Sequence, residues 1–271
     1  MSGNLDEVLR HHGIKGMRWG IRRFQNRDGT LTDAGKDRYS EESDRTIKQN
    51  RDGSKTVPKG FMFNRVGKST LDVNSSGALY VSYGKQDAAR YVKALGPTPI
   101  AKLLGTAGEA VQHISVKQQL KLSSNEQTAV EVAKLLSNNE KLFNRFKESI
   151  FSIAVTGDWE KDLSKVDLEK AMKNPSGKEG QKLSYGVSSF LADPNFVTES
   201  KLVYEHFRKA GFDAIPDVHD QLSGTSETAM IIINPEKVEI KSTTLITKDV
   251  MKSAKEYVKS LEKLKVSDLI N

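Results

Sequence analysis

The sequence predicts an α+β protein, with strands at both ends of a folded domain, a helical block between them, and a polar arm in front. Three observations lead there. "FMFNRV" and "GALYVSY" early, then "TAMIIIN" and "KVEIKSTTLI" late, are short runs rich in β-branched and aromatic residues, bounded by Gly, Ser and Asn. Between them lie stretches with apolar residues at helical spacing. Before Val57 such periodicity is scarce, and polar, turn-forming residues dominate.

Each element follows from its local signals. "KQDAARYVKALG" places Ala88, Tyr91, Val92 and Leu95 on one face and ends at Gly96, so it predicts a helix. "SSNEQTAVEVAKLLSNN" opens with Ser123 and Glu126 in capping-box spacing. "NEKLFNRFKESIFSIAV" sets Leu142, Phe146 and Ile150 on one stripe, and "TESKLVYEHFRKAG" runs from Thr198 to a terminating Gly211. "FDAIPD" precedes the late strands. A final amphipathic helix, about Lys248 to Lys265, carries Val250, Met251, Ala254, Tyr257, Val258, Leu261 and Leu264, a stripe suited to packing on the domain or to a partner helix. "QNRDG" occurs at 25–29 and again at 49–53, and each copy reads as a tight turn. The expected division is an arm over 1–57, a globular domain over 58–246 and a C-terminal helix over 247–271.

Composition limits the chemistry. A chain of 271 residues with 37% hydrophobic residues is long enough to bury a sizeable core. It has no cysteine, which excludes disulfides, thiolate metal sites and cysteine nucleophiles. No apolar run approaches the roughly 20 residues that span a bilayer, and "MSGNLDEVLR" lacks the basic-then-apolar order of a secretory signal, so no membrane partner and a cytoplasmic start are expected. The net charge of +7 and the pI near 9.3 suit an acidic surface or nucleic acid.

Much of that charge sits in "HHGIKGMRWG" and its surroundings. Arg10, Lys15, Arg18, Arg22, Arg23 and Arg27 form a basic stripe with no acidic residue among them. His11 and His12 are adjacent and point apart on either a helix or a strand, so no metal is expected there. The glycine spacing fits neither a Walker loop nor a dinucleotide fingerprint. The stripe, with Trp19 and Phe24 to stack on, suits nucleic acid or an acidic protein surface.

The stretch "HHGIKGMRWGIRRFQNRDGTLTDAGKDRY" resembles a segment of head and structural proteins of tailed phages and prophages of Gram-positive bacteria, with the pattern His-x-Gly-x-Lys-Gly-x-x-Trp-Gly-x-Arg-Arg-Phe-Gln. The resemblance implies a virion-associated protein, a minor head component or packaged cargo. It would dock on capsid, portal or other virion proteins through His12, Lys15, Arg18, Trp19, Arg22, Arg23 and Phe24, and reside in the particle and, during assembly, in the host bacterial cytoplasm.

A second resemblance lies in the domain. "VPKGFMFNRVG", "SGALYVSYGKQDAARYV" and "FRKAGFDAIPDVHD…SETAMIIINPEKVEI" are similar in order to an ADP-ribosyltransferase core. That likeness implies an ADP-ribosyltransferase-like fold and NAD as the substrate-cofactor: Arg65 on its phosphates, Ser82 at the end of the second strand, and Glu227 as the carboxylate at the nicotinamide ribose. Tyr80-Val81-Ser82 departs from the family's Ser-Thr-Ser, and Thr225 stands where arginine-modifying members carry a second Glu. Asp213, Asp217, His219 and Asp220 form a further polar cluster, read from the sequence as a loop after a strand.

Overall fold

The computed structural model describes residues 46–68, 73–74, 76–97, 107–152, 166–222 and 225–270. In chain order the strands are β1 (Lys48–Gln49), β2 (Lys55–Val57), β3 (Met62–Gly67), β4 (Leu79–Val81), β5 (Ala110–Val116), β6 (Leu120–Leu122), β7 (Ala214–Pro216), β8 (Met230–Ile232) and β9 (Val238–Leu245). They form a six-stranded sheet, β1-β2-β6-β7-β8-β4, and a three-stranded sheet, β3-β5-β9. β6 and β7 pair in parallel, with Leu122 opposite Ala214. The other pairings between these strands are antiparallel.

Alternation along the strands explains the layers. Met230 and Ile232, with Ala214, Leu79, Val81 and Phe63, fill the space between the sheets. Ile231 and Ile215 point the opposite way into a helical layer. A strand covered on both faces reads as a continuous apolar run, which is the pattern of "AMIII".

The helical layer consists of α2 (Asn125–Ser137), α3 (Glu140–Ser152), α4 (Leu168–Lys173), α5 (Lys178–Ala192) and α6 (Val197–Lys209); α1 (Lys85–Leu95) precedes it, and α7 (Val218–Leu222) and α8 (Lys248–Ile270) follow. Phe190 of α5 packs between Phe146 and Phe196, at ring-centroid distances of 5.6 and 5.0 Å. α5 buries Gly180, Ser184, Gly186, Ser188 and Ser189 as well as its large apolar residues, so small side chains let it lie deep in the layer. A Cβ at Gly180 would stand 2.0 Å from the Pro175 carbonyl oxygen.

The α+β class is as expected, with two shifts in detail. Ser124, one residue beyond Ser123, caps α2, its hydroxyl accepting from Gln127 N while Gln127 Oε1 accepts from Ser124 N. Ser123 is buried instead and shares a 2.8 Å hydrogen bond with Thr128. The folded body also begins before the boundary at 57, because β1 and β2 form the edge of the six-stranded sheet. The second "QNRDG" is the turn joining them, with Gly53 at φ 86° and Asp52 Oδ1 accepting from Ser54 N at 2.9 Å. At the other end, α8 belongs to the same body: Val250, Met251, Ala254 and Val258 are buried against Ala89, Val92 and Val111.

Candidate functional site

A cavity of about 590 Å³ opens where the ends of β3 and β4 meet α1, the α5–α6 junction and the β7–α7 turn. Its volume lies within the range of small-molecule sites. Arg65 reaches it from β3, where it shares a face with Phe63. The Arg65 Nη1 donates to Gln112 Oε1 at 3.1 Å, and fully buried Gln112 in turn donates to the Lys68 carbonyl at 2.6 Å. The guanidinium is therefore held in place from behind.

Ser82 joins Arg65 through the backbone. Asn64 N donates to the Ser82 carbonyl at 2.7 Å and Ser82 N to the Asn64 carbonyl at 3.0 Å, a bridge linking the two sheets at the cavity. Ser82 is 1% exposed and its hydroxyl has no hydrogen-bond partner among the described residues; the buried Tyr80 hydroxyl, on the same cavity, faces the Tyr204 hydroxyl. Burying polar atoms in this way is costly, so they mark a place where a polar ligand gains.

Two carboxylates, Asp217 and Asp220, line the same cavity. Asp217 is 5% exposed and caps α7, with Oδ1 accepting from Asp220 N at 3.2 Å. Its carboxylate also takes a backbone hydrogen bond from His219, on the first turn of α7. The turn carrying it is fixed by fully buried Ser188, whose Oγ accepts from Val218 N at 3.0 Å and lies 3.4 Å from the Pro216 carbonyl. Burial, reinforced by the neighbouring charge of Asp220, pushes the Asp217 carboxyl up to about 7.

Asp220 goes the other way. Burial pushes its pKa up, but hydrogen bonds from His219 and from the Tyr91 hydroxyl outweigh this and hold it below the usual carboxylate value. His219 is raised, chiefly by its hydrogen bond to Asp220, against the effect of burial. Two adjacent carboxyls driven apart in this way can hold one proton near neutral pH while the other stays charged. Donor atoms of Asp217, His219 and Asp220 lie within 4.8 Å of one another, although both Asp220 oxygens are already engaged.

Residues 2–26 match a family of unknown function (DUF7211). No characterised protein and no solved structure matches the chain. The matched segment contains His12, Lys15, Arg18, Trp19, Arg22, Arg23 and Phe24, all of which lie outside the described residues. The first "QNRDG" turn lies outside them too. No helix among the described residues is long and apolar enough to cross a membrane.

Of the three residues implied by the transferase resemblance, the structure brings Arg65 and Ser82 to one cavity and Glu227 to another. That second cavity, about 300 Å³, is lined by Lys55, Tyr83, Ser124 and Thr228 among others. The Glu227 side chain is 67% exposed and stands 4.0 Å from the Arg90 guanidinium. The cause is buried Asp87, whose Oδ2 accepts from Ser226 Oγ at 2.7 Å and from Thr228 N at 3.1 Å, pinning the turn on either side of Glu227.

The polar cluster read from the sequence divides. Asp213 is a structural clamp, bound by Lys237 Nζ at 2.6 Å and Lys121 N at 2.9 Å. Asp217 and Asp220 face the large cavity instead. Tyr91, expected only as part of an apolar helix face, supplies the hydroxyl that holds Asp220. The signal available was a Tyr in that stripe, and nothing local to it points to a partner so far along the chain.

Proposed function

We propose that the folded body binds a dinucleotide of the NAD class at the large cavity and works as an ADP-ribosyltransferase-like domain, carried by an N-terminal arm that docks on a phage particle. The observation that carries the first part is the convergence of Arg65, Ser82 and a buried carboxylate, Asp217, on one cavity. A guanidinium pairs with phosphate oxygens in a bidentate manner. A carboxylate in the same cavity stabilises positive charge that develops at an anomeric carbon when a glycosidic bond breaks. Leu95, Leu191 and Val197 give the cavity an apolar part of its lining.

The test is calorimetric titration of the full chain with NAD, together with an assay for release of nicotinamide. Binding in the wild type, at least about tenfold weaker in Arg65→Ala, is expected from the loss of a charge-assisted contact. A folded chain that neither binds nor cleaves NAD removes the reading.

The docking part rests on the arm: the phage-type segment with Trp19 and Phe24, within the 2–26 match, stands ahead of a body whose first strand among the described residues begins at Lys48. Trp19 and Phe24 act as apolar anchors, and the basic residues set orientation on virion proteins. Deleting residues 10–39 is expected to abolish incorporation into particles. Normal incorporation of that deletion removes this part alone.

A further inference from the structure

We propose that Asp217, rather than Glu227, is the carboxylate that receives the hydroxyl-bearing sugar of the ligand, opposite the phosphate end at Arg65. This rests on the NAD-class reading above and names the residue that completes its site.

Position comes first. Asp217 lines the cavity that Arg65 and Ser82 line, whereas Glu227 lines a different one and is mostly exposed. The anchoring of Glu227 is firm, because the residues on both sides of it are hydrogen-bonded to buried Asp87. Bringing Glu227 to Arg65 and Ser82 means breaking those bonds.

Capping is one task of the Asp217 side chain: its carboxylate accepts from Asp220 N and takes a backbone hydrogen bond from His219, as an Asp before a helix ordinarily does. The same side chain, 5% exposed, lines the cavity, and an ionised carboxylate has lone pairs enough to accept from a ligand hydroxyl as well. The Ser82 hydroxyl on the same cavity, without a partner among the described residues, can serve a polyhydroxylated group as well.

Charge then sets the direction of the ligand. Arg65 reaches the cavity from β3, whereas Asp217 and Asp220 reach it from the β7–α7 turn and α7, and Asp193 from the α5–α6 junction. A ligand anionic along its whole length would meet repulsion there, and one with phosphates at one end and neutral hydroxyls or a cationic ring at the other matches both walls. The groups that face Asp217 are Asp220 and His219 on α7, Tyr80 on β4 and Tyr204 on α6, with Tyr91 of α1 holding Asp220 and Arg65 of β3 on the same cavity. The elevated pKa of Asp217 agrees with this placement, since the group stands where its charge is least solvated.

The experiment titrates the full chain with ADP-ribose, which has the sugar and phosphates but no nicotinamide, and in parallel with NAD. Asp217→Asn is the informative variant because its amide oxygen retains the cap on Asp220 N; circular dichroism and a melting curve check that it folds. We expect Asp217→Asn to bind ADP-ribose about tenfold or more weakly, a larger loss than in Glu227→Gln. Wild-type affinity should tighten between about pH 5.5 and 8.5, as Asp217 takes up its charge and becomes a better acceptor, and the variant should show a flat profile. ADP-ribose affinity in folded Asp217→Asn equal to wild type, or a flat wild-type profile, overturns the assignment while leaving an NAD site in place. Wild-type binding of ADP-ribose with the expected losses, but no cleavage of NAD, upholds the assignment and overturns the transferase chemistry. Binding of neither compound by folded wild type overturns both.

Discussion

Asn64 and Ser82 exchange both of their backbone hydrogen bonds, at 2.7 and 3.0 Å, and so tie the end of β4 in one sheet to β3 in the other. The bridge brings Ser82 to the strand that carries Arg65, and both line one cavity. The Ser82 backbone thus has a structural role, while its hydroxyl has no hydrogen-bond partner among the described residues.

Ser82→Ala separates the two. It keeps the bridge and removes a buried, unpartnered hydroxyl, so urea denaturation should show stability unchanged or raised by about 1 kcal/mol. ADP-ribose affinity should fall in the same variant. A loss of more than about 2 kcal/mol would show that the hydroxyl has a partner in the folded protein.

Asp87→Ala should be severe. Asp87 is 3% exposed and accepts from Ser226 Oγ, Thr228 N and Thr228 Oγ1, joining α1 to the turn before β8. Its removal takes the acceptor from buried Ser226 Oγ and leaves Thr228 N and Oγ1 only their second acceptors, Ser226 Oγ and the Tyr83 carbonyl, and should cost about 2–4 kcal/mol in urea denaturation. Hydrogen exchange should show the 225–228 turn opening first.

Stability should depend on pH through Asp217. Its carboxyl is raised from 3.8 to about 7, so between these values the folded state binds a proton that the unfolded state has released. The contribution is fully present below about pH 3.8 and is lost as pH rises through about 7. Between pH 5 and 8 the loss amounts to roughly 2–3 kcal/mol. Asp220, lowered in the fold, works in the opposite sense: its contribution is present above its ordinary pKa and disappears on acidification. Urea denaturation at the two pH values, wild type against Asp217→Asn, should show the decline only in the wild type.

Phe190→Ala tests the helical layer. Phe190 is fully buried between Phe146 and Phe196, and truncation leaves a cavity that the surrounding helices cannot close. A cost of about 3–5 kcal/mol is expected. ADP-ribose affinity measured well below the lowered melting temperature should change little, since Phe190 does not line the cavity.

Some elements escaped the sequence reading for identifiable reasons. β5 carries Gln112 and His113 in its middle, which hides its period. Gln112 is buried there because it bonds Arg65 and the Lys68 carbonyl, a tertiary circumstance. α5 is rich in Gly and Ser, both weak helix formers, and is helical because those small residues allow close packing.

The elements written in local patterns could be read directly: the α+β class, the helix ending at Gly96, the "QNRDG" turn, the late strands and the apolar stripe of α8. Their signals operate over a few residues, through backbone preference, capping and the period of burial. Which side chains share a cavity was settled by strand order and by the bridge between the sheets, both long-range properties. Arg65 and Ser82 meet because β3 and β4 lie in different sheets joined at that point. Glu227 is kept from them by Asp87, and Asp217 is delivered to them by a turn fixed on Ser188, contacts that no local spacing encodes.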